Sequence, residues 1–574
     1  MIRRCSSDSN FAYKMGNDLS QIQKNVKDRL HGKLYFPGVE SLDYSDEELV
    51  LTKASACVIG RQLIGGQSKL TLPELLDMFH YQKQIVHKDF CALADVFYGE
   101  PNRKAKALDK ELKENSIGFS DKYPLFGFVI SVKDIIVYKN SDCTHGLAIN
   151  LNRPAKFTPK FIEALENRGA LVTAKGTVPQ AVFSMETENN IFGCLVNPYN
   201  KSRISGGSTG GDSVLIALGA VNACIGTDQG GSLRIPALFC GICSFKPTEG
   251  RFSDECSSGS FDFSDFYGKT GDVSDLIPQT IGPMANWVDD LIAIMKVTAD
   301  QNGDYYNCSR FDWIQPPLPK RVGIIRDFSS LMEPCLTTQR ALNESAQHLS
   351  ALGCEVVPIE LNDIIRNITV TTIACFFKGQ QLRNLISGKI KIKEPLMPAF
   401  QGIKLLLKTP MPIIRMLLKS SVIEEREKIF LEAYVYSKDY NSSYLKARRR
   451  ELIYEVMRRF NELGVETAIA PGLFPAPKIH STKENSLMAF QVFMWNFLNF
   501  PCGALPVTKV TQEEQVYQSV FIDKITASLV DNMKESAGLP VGIQVVGVPK
   551  KDELVLEVMR NLEAKIGYNK IYAI

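Results

Sequence analysis

The sequence lacks the features that mark several classes of protein. It has no uninterrupted apolar run of about 18 residues that would cross a bilayer as a helix. Residues 1–35 are polar and lack the apolar core of a signal peptide. Its 66 basic and 63 acidic residues nearly balance, which argues against nucleic acid as a partner. We therefore expect a cytoplasmic protein.

Linkers are also absent, because no long stretch rich in Gly, Ser, Pro or one sign of charge divides the 574 residues. The sequence predicts a polar N-terminal segment at 1–35 and a single large domain at 36–574. We carry a homodimer as one alternative for its assembly.

Cysteine is present, with 14 residues scattered over a chain that shows no secretory segment. Reduced thiols in the core are therefore expected rather than a disulfide framework. Cys240 and Cys243 form a lone CxxC pair without nearby histidines. Structural zinc sites need four ligands, so we interpret this pair as core packing.

Periodicity predicts a mixed α/β fold. Thr71 is suited to cap a helix at 71–88, because Pro73 and Glu74 follow it in the first turn. The β-branched run at 127–137 predicts a strand. Alternating elements continue as a helix at 161–167, a strand at 170–173, a strand at 321–325, a helix at 338–352 and a strand at 355–359.

Lys133 lies within the apolar run GFVISVKDIIV. Burial disfavours a charged ammonium, so a lysine here is a candidate proton acceptor near neutral pH. The alternative is an ordinary lysine at a strand end that reaches water or pairs with Asp134. This segment alone leaves both interpretations open.

A glycine-rich stretch at 205–212 reads SGGSTGGD and contains Ser208. It lacks the Lys-Ser/Thr ending of a phosphate-binding loop. It matches the Gly-x-Ser-x-Gly elbow of α/β-hydrolases, in which Ser208 would be the nucleophile and His348 or His480 the base. A second role for Ser208 follows from the resemblance described below.

A second such stretch at 226–236 reads GTDQGGSLRIP and contains Ser232. The amides of Gln229, Gly230, Gly231 and Ser232 are suited to form a nest that donates hydrogen bonds to an oxyanion beside the Ser232 hydroxyl. The alternative is a glycine-rich turn whose serine only caps the next segment.

Lys133 and the two glycine-rich stretches, in this order, resemble the amidase signature family. The resemblance covers most of the chain and continues through 239–248, 500–506 and 538–544. It implies an α/β fold in which a mixed, twisted β-sheet is surrounded by many α-helices. It also implies cleavage of an amide, without a metal or cofactor.

The resemblance assigns a Ser-Ser-Lys triad. Ser232 would be the nucleophile, Ser208 the bridging serine and Lys133 the base, and no histidine would take part. It further implies a cis peptide bond between Gly207 and Ser208. In this mechanism Ser208 relays a proton, so it is not the nucleophile that the elbow interpretation makes it.

The segment 387–421 departs from the α/β pattern. Leucine, isoleucine and methionine alternate with Lys404, Lys408, Arg415 and Lys419, and two prolines divide the segment. It predicts two short amphipathic helices with a basic rim, suited to an anionic membrane surface. The alternative is a pair of ordinary surface helices packed on the core.

Within the family, this segment and the region 500–544 look most like fatty acid amide hydrolases. That likeness implies lipid amides as substrates, namely N-acylethanolamines and primary fatty amides, and peripheral membrane association through 387–421. Candidate acyl-channel residues by position are Val182, Phe183, Phe493 and Trp495. Alternatives are a general small-amide amidase, the A-type component of a glutamyl-tRNA amidotransferase, and a non-catalytic lipid-binding protein.

Overall fold

A computed structural model describes residues 19–35, 44–252, 276–277, 279–300, 313–329, 331–378, 394–481 and 486–569. Its strands are β1 (Leu93–Val96), β2 (Val129–Lys133), β3 (Leu171–Gly176), β4 (Glu188–Asn189), β5 (Gly193–Cys194), β6 (Ala223–Asp228), β7 (Cys243–Lys246), β8 (Thr280–Ala285), β9 (Arg321–Ile324), β10 (Glu355–Pro358), β11 (Thr467–Pro471), β12 (Cys502–Lys509) and β13 (Pro540–Gly547).

Eleven of these strands form one sheet, in the order β1-β3-β2-β6-β8-β7-β12-β13-β11-β9-β10, and β4 and β5 form a separate hairpin. Strands β3, β2 and β6 run parallel at one end, and β11, β9 and β10 run parallel at the other. The pairs between β6 and β11 are antiparallel. The predicted mixed sheet is therefore confirmed.

Helices surround this sheet. They are α1 (Leu19–Leu34), α2 (Asp46–Leu49), α3 (Ala56–Ile64), α4 (Leu72–Phe90), α5 (Gly99–Glu114), α6 (Phe119–Lys122), α7 (Lys160–Asn167), α8 (Gly210–Ala217), α9 (Arg234–Cys240), α10 (Val288–Asp300), α11 (Leu336–Ala351), α12 (Asn362–Lys378), α13 (Gln401–Lys408), α14 (Met411–Lys419), α15 (Glu425–Asp439), α16 (Ser442–Glu462), α17 (Phe490–Phe497), α18 (Lys524–Met533) and α19 (Asp552–Ile566).

The central strands are buried on both faces. Every residue of β6 and of β13 is buried, although neighbouring side chains of a strand point to opposite faces. Helices α9, α11 and α19 all pack against β13, and α8 packs against β3. Such burial explains why these strands read as apolar runs rather than as an alternating pattern.

Local signals in the sequence placed several elements correctly. Thr71 caps α4, where its hydroxyl accepts from the amide of Glu74 and the Glu74 carboxylate accepts from the amide of Thr71 at 2.7 Å. The strands predicted near residues 130, 171, 322 and 356 all form. Each boundary lies within a few residues of the predicted one.

The N-terminal segment 1–35 is described from residue 19 onward. Its helix α1 buries Leu30 and Leu34 in the main core, and Arg29 pairs with Asp142 at 2.8 Å. The described part of this segment is therefore packed on the domain rather than being uniformly polar. Amphipathic spacing of its few apolar residues accounts for this packing.

The amphipathic segment is described from residue 394, and 387–393 lie outside the described residues. The two predicted helices are confirmed as α13 and α14, and Pro410 immediately precedes α14. Helix α14 packs against α15. Among the described residues, no helix combines the length and the apolar character that a membrane span requires.

Candidate active site

Lys133 is the last residue of β2 and its side chain is completely buried. Its Nζ lies 2.8 Å from Ser208 Oγ, 3.0 Å from Thr227 Oγ1 and 3.1 Å from the Thr227 carbonyl oxygen. Asp134 forms an ion pair with Lys175 at 3.0 Å instead. The interpretation of Lys133 as a solvent-seeking lysine, or as the partner of Asp134, is therefore wrong.

Ser208 lies just before α8, and the Gly207–Ser208 peptide bond is cis, as the resemblance implied. Gly206 has φ 87°, a left-handed conformation that favours glycine. A Cβ on Gly207 would lie 2.5 Å from the carbonyl oxygen of Ser184, so the 179–184 segment passes close to Ser208. The next residue, Thr209, donates its amide to the Ser232 carbonyl at 3.1 Å.

Ser232 occupies the turn between β6 and α9, and a buried ion pair fixes this turn. Arg234 Nε lies 3.0 Å from Asp228 Oδ2, and Asn496 Nδ2 donates to Asp228 Oδ1 at 2.8 Å. Burial alone would raise the pKa of Asp228, but the Arg234 charge and these hydrogen bonds outweigh it and lower that pKa. The carboxylate therefore stays ionised.

The same carboxylate also organises the backbone of the turn. Gly231 donates its amide to Asp228 Oδ1 at 2.7 Å, and Leu233 donates its amide to Asp228 Oδ2 at 3.2 Å. Within the described residues, the amides of Gln229, Gly230 and Ser232 donate no hydrogen bond. Three of the four predicted oxyanion donors thus remain available, while Gly231 is occupied by Asp228.

The Ser232 side chain is half-buried, and its hydroxyl makes no hydrogen bond to another described residue. Catalytic hydrogen bonds often tighten only when substrate binds. The structure shows the contact between Lys133 and Ser208, and a backbone hydrogen bond joins Ser232 to Thr209, the residue after Ser208.

Asp212 lies in the first turn of α8, four residues after Ser208. Its Oδ1 accepts from Ser131 Oγ at 2.6 Å and from the amide of Gly176 at 3.2 Å. Complete burial raises its pKa to about 6, although Ser131 and the nearby Lys133 oppose the shift. This carboxyl anchors α8 to β2 and β3.

The two histidines of the elbow interpretation, His480 and His348, have other neighbours. His480 Nδ1 is 3.7 Å from Glu186 Oε1, and these two residues with Glu188 bring three ligand-type atoms within 4.8 Å of one another. His348 belongs to α11. Since the side chain beside Ser208 is Lys133, the geometry does not support a serine–histidine pair at the elbow.

The two cysteines of the CxxC pair have different neighbours. Cys240 Sγ lies 3.3 Å from the Ser205 carbonyl, and Cys243 Sγ lies 3.6 Å from the Asn286 carbonyl. None of the cysteines among the described residues forms a disulfide bond. Both members of the pair are buried in the core.

A row of phenylalanine side chains leads away from the Ser232 turn. A Cβ on Gly230 would lie 3.4 Å from the Phe493 ring. Ring centroids are then 6.1 Å apart for Phe493 and Phe376, 5.0 Å for Phe376 and Phe183, and 5.6 Å for Phe183 and Phe400. We call these four residues the phenylalanine row; they connect the candidate nucleophile to the segment that precedes α13.

Val182 and Trp495, the other two predicted channel residues, lie in different surroundings. Val182 has φ 61°, a conformation that β-branched residues rarely adopt, and it lies next to Phe183. Trp495 is completely buried, and its ring contacts Phe500. The structure thus places Val182 beside the phenylalanine row and Trp495 in the core.

Helices α13 and α14 present an apolar and basic surface. Leu405 is 71% exposed, Met416 is 62% exposed and Ile413 is 44% exposed. Ile414 is buried on the opposite face of α14. Among the four predicted cations, Arg415 is paired with Asp439 at 2.5 Å.

Comparison with known proteins identifies the family. The amidase family matches residues 74–556. This chain belongs to it. Amidase-family membership makes the protein a hydrolase that acts on amides, and it confirms the resemblance given by the three sequence motifs.

The names of individual relatives indicate different activities. Fatty-acid amide hydrolase 1 of Sus scrofa is 29% identical over 471 residues, which cover 76% of this chain and 75% of the relative. A glutamyl-tRNA(Gln) amidotransferase component of the A type, from Sulfurihydrogenibium sp., is 26% identical over 516 residues, covering 87% and 94%. The solved structure of a fatty acid amide hydrolase aligns with a TM-score of 0.74 at 22% identity, covering 96% and 95%. The amidase signature fold is thereby confirmed.

Sequence reasoning missed several residues of this amidase site. Asp228 and Arg234 flank Ser232 within the predicted motif, and charges inside a glycine-rich turn were a usable signal. Thr227, which contacts Lys133, had no such signal. Phe376 and Phe400 resemble ordinary core residues in sequence, and only the fold brings them together.

Proposed function

We propose that this amidase hydrolyses fatty acid amides, including N-acylethanolamines and primary fatty amides, to the fatty acid and the amine. Ser232 attacks the amide carbonyl and forms an acyl-enzyme. The amides of Gln229, Gly230 and Ser232 stabilise the oxyanion, each contributing roughly 3 kcal/mol in such sites.

Proton transfer follows the chain from Ser232 through Ser208 to Lys133. As Ser232 attacks, its proton passes to Ser208, and Ser208 gives its own proton to neutral Lys133. The relay then reverses and protonates the leaving amine. Water finally cleaves the ester between Ser232 and the acyl group. The 2.8 Å contact between Lys133 and Ser208 supports the transfer from Ser208 to Lys133.

The phenylalanine row carries the assignment of the acyl group. A fatty acyl chain needs an extended apolar surface next to the reacting carbonyl, because each buried methylene contributes about 0.8 kcal/mol. The row begins against Gly230 and ends at Phe400, beside the amphipathic helices. Val182, Phe183 and Phe493 are the predicted channel residues that belong to this surface.

Membrane association is part of the same proposal. Exposed Leu405, Ile413 and Met416 would enter the acyl region, while Lys404, Lys408 and Lys419 would face anionic headgroups. Substrate would then pass from the bilayer to the phenylalanine row. The described segment 394–421 contains all of these side chains.

A panel of amides tests the proposal. Oleamide and butyramide share an amide headgroup and differ in acyl length, so their kcat/KM values should differ strongly in favour of oleamide. Anionic liposomes should raise oleamide turnover without raising that of butyramide. Equal turnover of the two amides would indicate a general small-amide amidase instead.

The amidotransferase relative defines another outcome. A protein of that kind would need partner chains and a tRNA-borne acceptor, and it has no need of a membrane surface. Turnover of glutamine that exceeds turnover of oleamide would favour that function over lipid amide hydrolysis.

A further inference from the structure

Gln180 joins the amphipathic segment to the active-site region. It is almost completely buried, at 1% exposure. Its Nε2 donates to Glu394 Oε1 and to the Pro395 carbonyl, both at 2.9 Å. Its Oε1 accepts from the amide of Met397 at 2.9 Å. One glutamine side chain therefore satisfies three polar groups at the start of the segment that leads into α13.

Glu394 completes this connection. Its Oε2 accepts from the amide of Ala148 at 3.0 Å, while Oε1 is bound by Gln180. Asn190 donates a further bond to the Pro395 carbonyl at 2.8 Å. We call Gln180 and Glu394 the glutamine–glutamate clamp.

The position of the clamp relates it to the acyl surface. Gln180 begins the turn that carries Val182 and Phe183, and Met397 directly precedes the turn that contains Phe400. The clamp therefore fixes the distance between the two turns whose rings meet at 5.6 Å. Loss of the clamp would separate Phe183 from Phe400.

We infer that Gln180 and Glu394 are positioning residues that set acyl-chain selectivity by holding Phe400 against Phe183. This inference rests on the proposed fatty acid amide hydrolysis. A long acyl chain needs the whole phenylalanine row, whereas a short one contacts only its beginning near Phe493. The clamp thus affects long substrates and leaves the reacting groups in place.

Gln180→Ala provides the main test, measured as kcat/KM for oleamide and butyramide. We expect oleamide kcat/KM to fall about tenfold, mainly through KM, since misplacement of about 1 Å in a binding surface is costly. Butyramide kcat/KM should change less than about twofold, because Ser232, Ser208 and Lys133 are untouched.

Gln82→Ala is the matched control. Gln82 is also fully buried, and it donates to the Leu218 carbonyl at 2.7 Å, away from the phenylalanine row. Its replacement leaves a similar buried defect without touching the clamp. The ratio of oleamide to butyramide kcat/KM should therefore match that of the unchanged protein.

Substitutions at Glu394 provide the conservative comparison. Glu394→Gln retains the shape and one of the two acceptor oxygens, so it should keep part of the selectivity. Glu394→Ala removes both oxygens, so its oleamide kcat/KM should fall about tenfold. An unchanged ratio in both Gln180→Ala and Glu394→Ala overturns the inference, and so does an equal loss for both amides. Failure of the proposed function would instead appear in the unchanged protein, as no preference for oleamide.

Discussion

At the scale of single residues, Lys133 is held by oxygens from two parts of the chain. Its Nζ lies within 3.1 Å of both oxygens of Thr227 and 2.8 Å from the Ser208 hydroxyl. The proposed relay requires this amine to be neutral and to accept the Ser208 proton through its lone pair.

Replacing Lys133 tests this role. Lys133→Met keeps much of the buried volume and removes the acceptor, so kcat should fall about 10²- to 10⁴-fold. Steady-state turnover of oleamide measures the change. Lys83→Met is the control. Lys83 is also fully buried, and its Nζ donates to the carbonyl of Phe79 at 3.3 Å. Unchanged kcat in Lys133→Met would remove lysine from the relay.

The Asp228–Arg234 pair predicts a large loss of stability on truncation. Arg234→Met leaves the Asp228 carboxylate buried without its counter-charge, which typically costs about 3–5 kcal/mol. Denaturant unfolding measures the difference. Arg321→Met removes an exposed pair with Glu355, and it should cost much less, because water and salt screen exposed ion pairs. Equal costs for the two variants would contradict the structural account of the Ser232 turn.

The sequence marks the candidate catalytic residues but not all of the contacts that they make. Ser208 and Ser232 are recognisable because they lie in glycine-rich stretches, and Lys133 because it is a lysine within an apolar run. Thr227 was not predicted, since its contact with Lys133 depends on β2 and β6 being parallel neighbours. A pattern within one strand carries no information about which strand lies beside it.

At the scale of elements, the amphipathic helices are attached through a titratable group. Burial raises the pKa of Glu394 to about 7, although hydrogen bonds from Ala148 and Gln180 oppose this shift. Between the ordinary value of 4.5 and about 7, the folded protein binds more protons than the unfolded chain. The stability of this attachment therefore falls as pH rises through that range, and the loss is complete above it.

Hydrogen exchange tests this pH dependence. The amide of Ala148 should lose protection as the pH rises through the pKa of Glu394, about 7, once the intrinsic exchange rate has been corrected. Glu394→Gln carries no titrating group there, so its protection should stay nearly constant over the same range. The same decline in both proteins would show that Glu394 is not the responsible group.

The basic rim predicts how strongly the helices bind membranes. Replacing Lys404, Lys408 and Lys419 with Gln should weaken binding to anionic vesicles by about 1 kcal/mol per lysine at low salt. Vesicle sedimentation measures the partition coefficient. The control replaces Lys110, Lys113 and Lys122, whose side chains are at least 60% exposed and lie on α5 and α6. Equal weakening would show that binding depends on total charge rather than on this surface.

The helices and strands were largely predictable, because each depends on the order of apolar and polar residues within one short segment. Helices α13 and α14 follow from the spacing of leucine, methionine and lysine around two prolines. Their attachment through Gln180 was not predictable, since Gln180 and Glu394 are 214 positions apart and neither belongs to a motif. The buried face of α1 was also missed, because its apolar residues are few.

At the scale of the whole molecule, the sheet brings distant motifs together. Lys133 ends β2, Ser208 precedes α8 and Ser232 follows β6, so the parallel arrangement of β2 and β6 places all three at the same edge. The mixed sheet class followed from the alternation of helices and strands. The strand order did not, because long-range pairing has no signal in a single sequence.

The central claim is that Ser232 carries a fatty acyl group during turnover. The most direct measurement is rapid-quench mass spectrometry with an oleoyl amide of a good leaving amine, with the adduct located by fragmentation. The account predicts one oleoyl group on Ser232 in the unchanged protein and none in Ser232→Ala. An oleoyl group on Ser208, or an adduct that persists in Ser232→Ala, would contradict it.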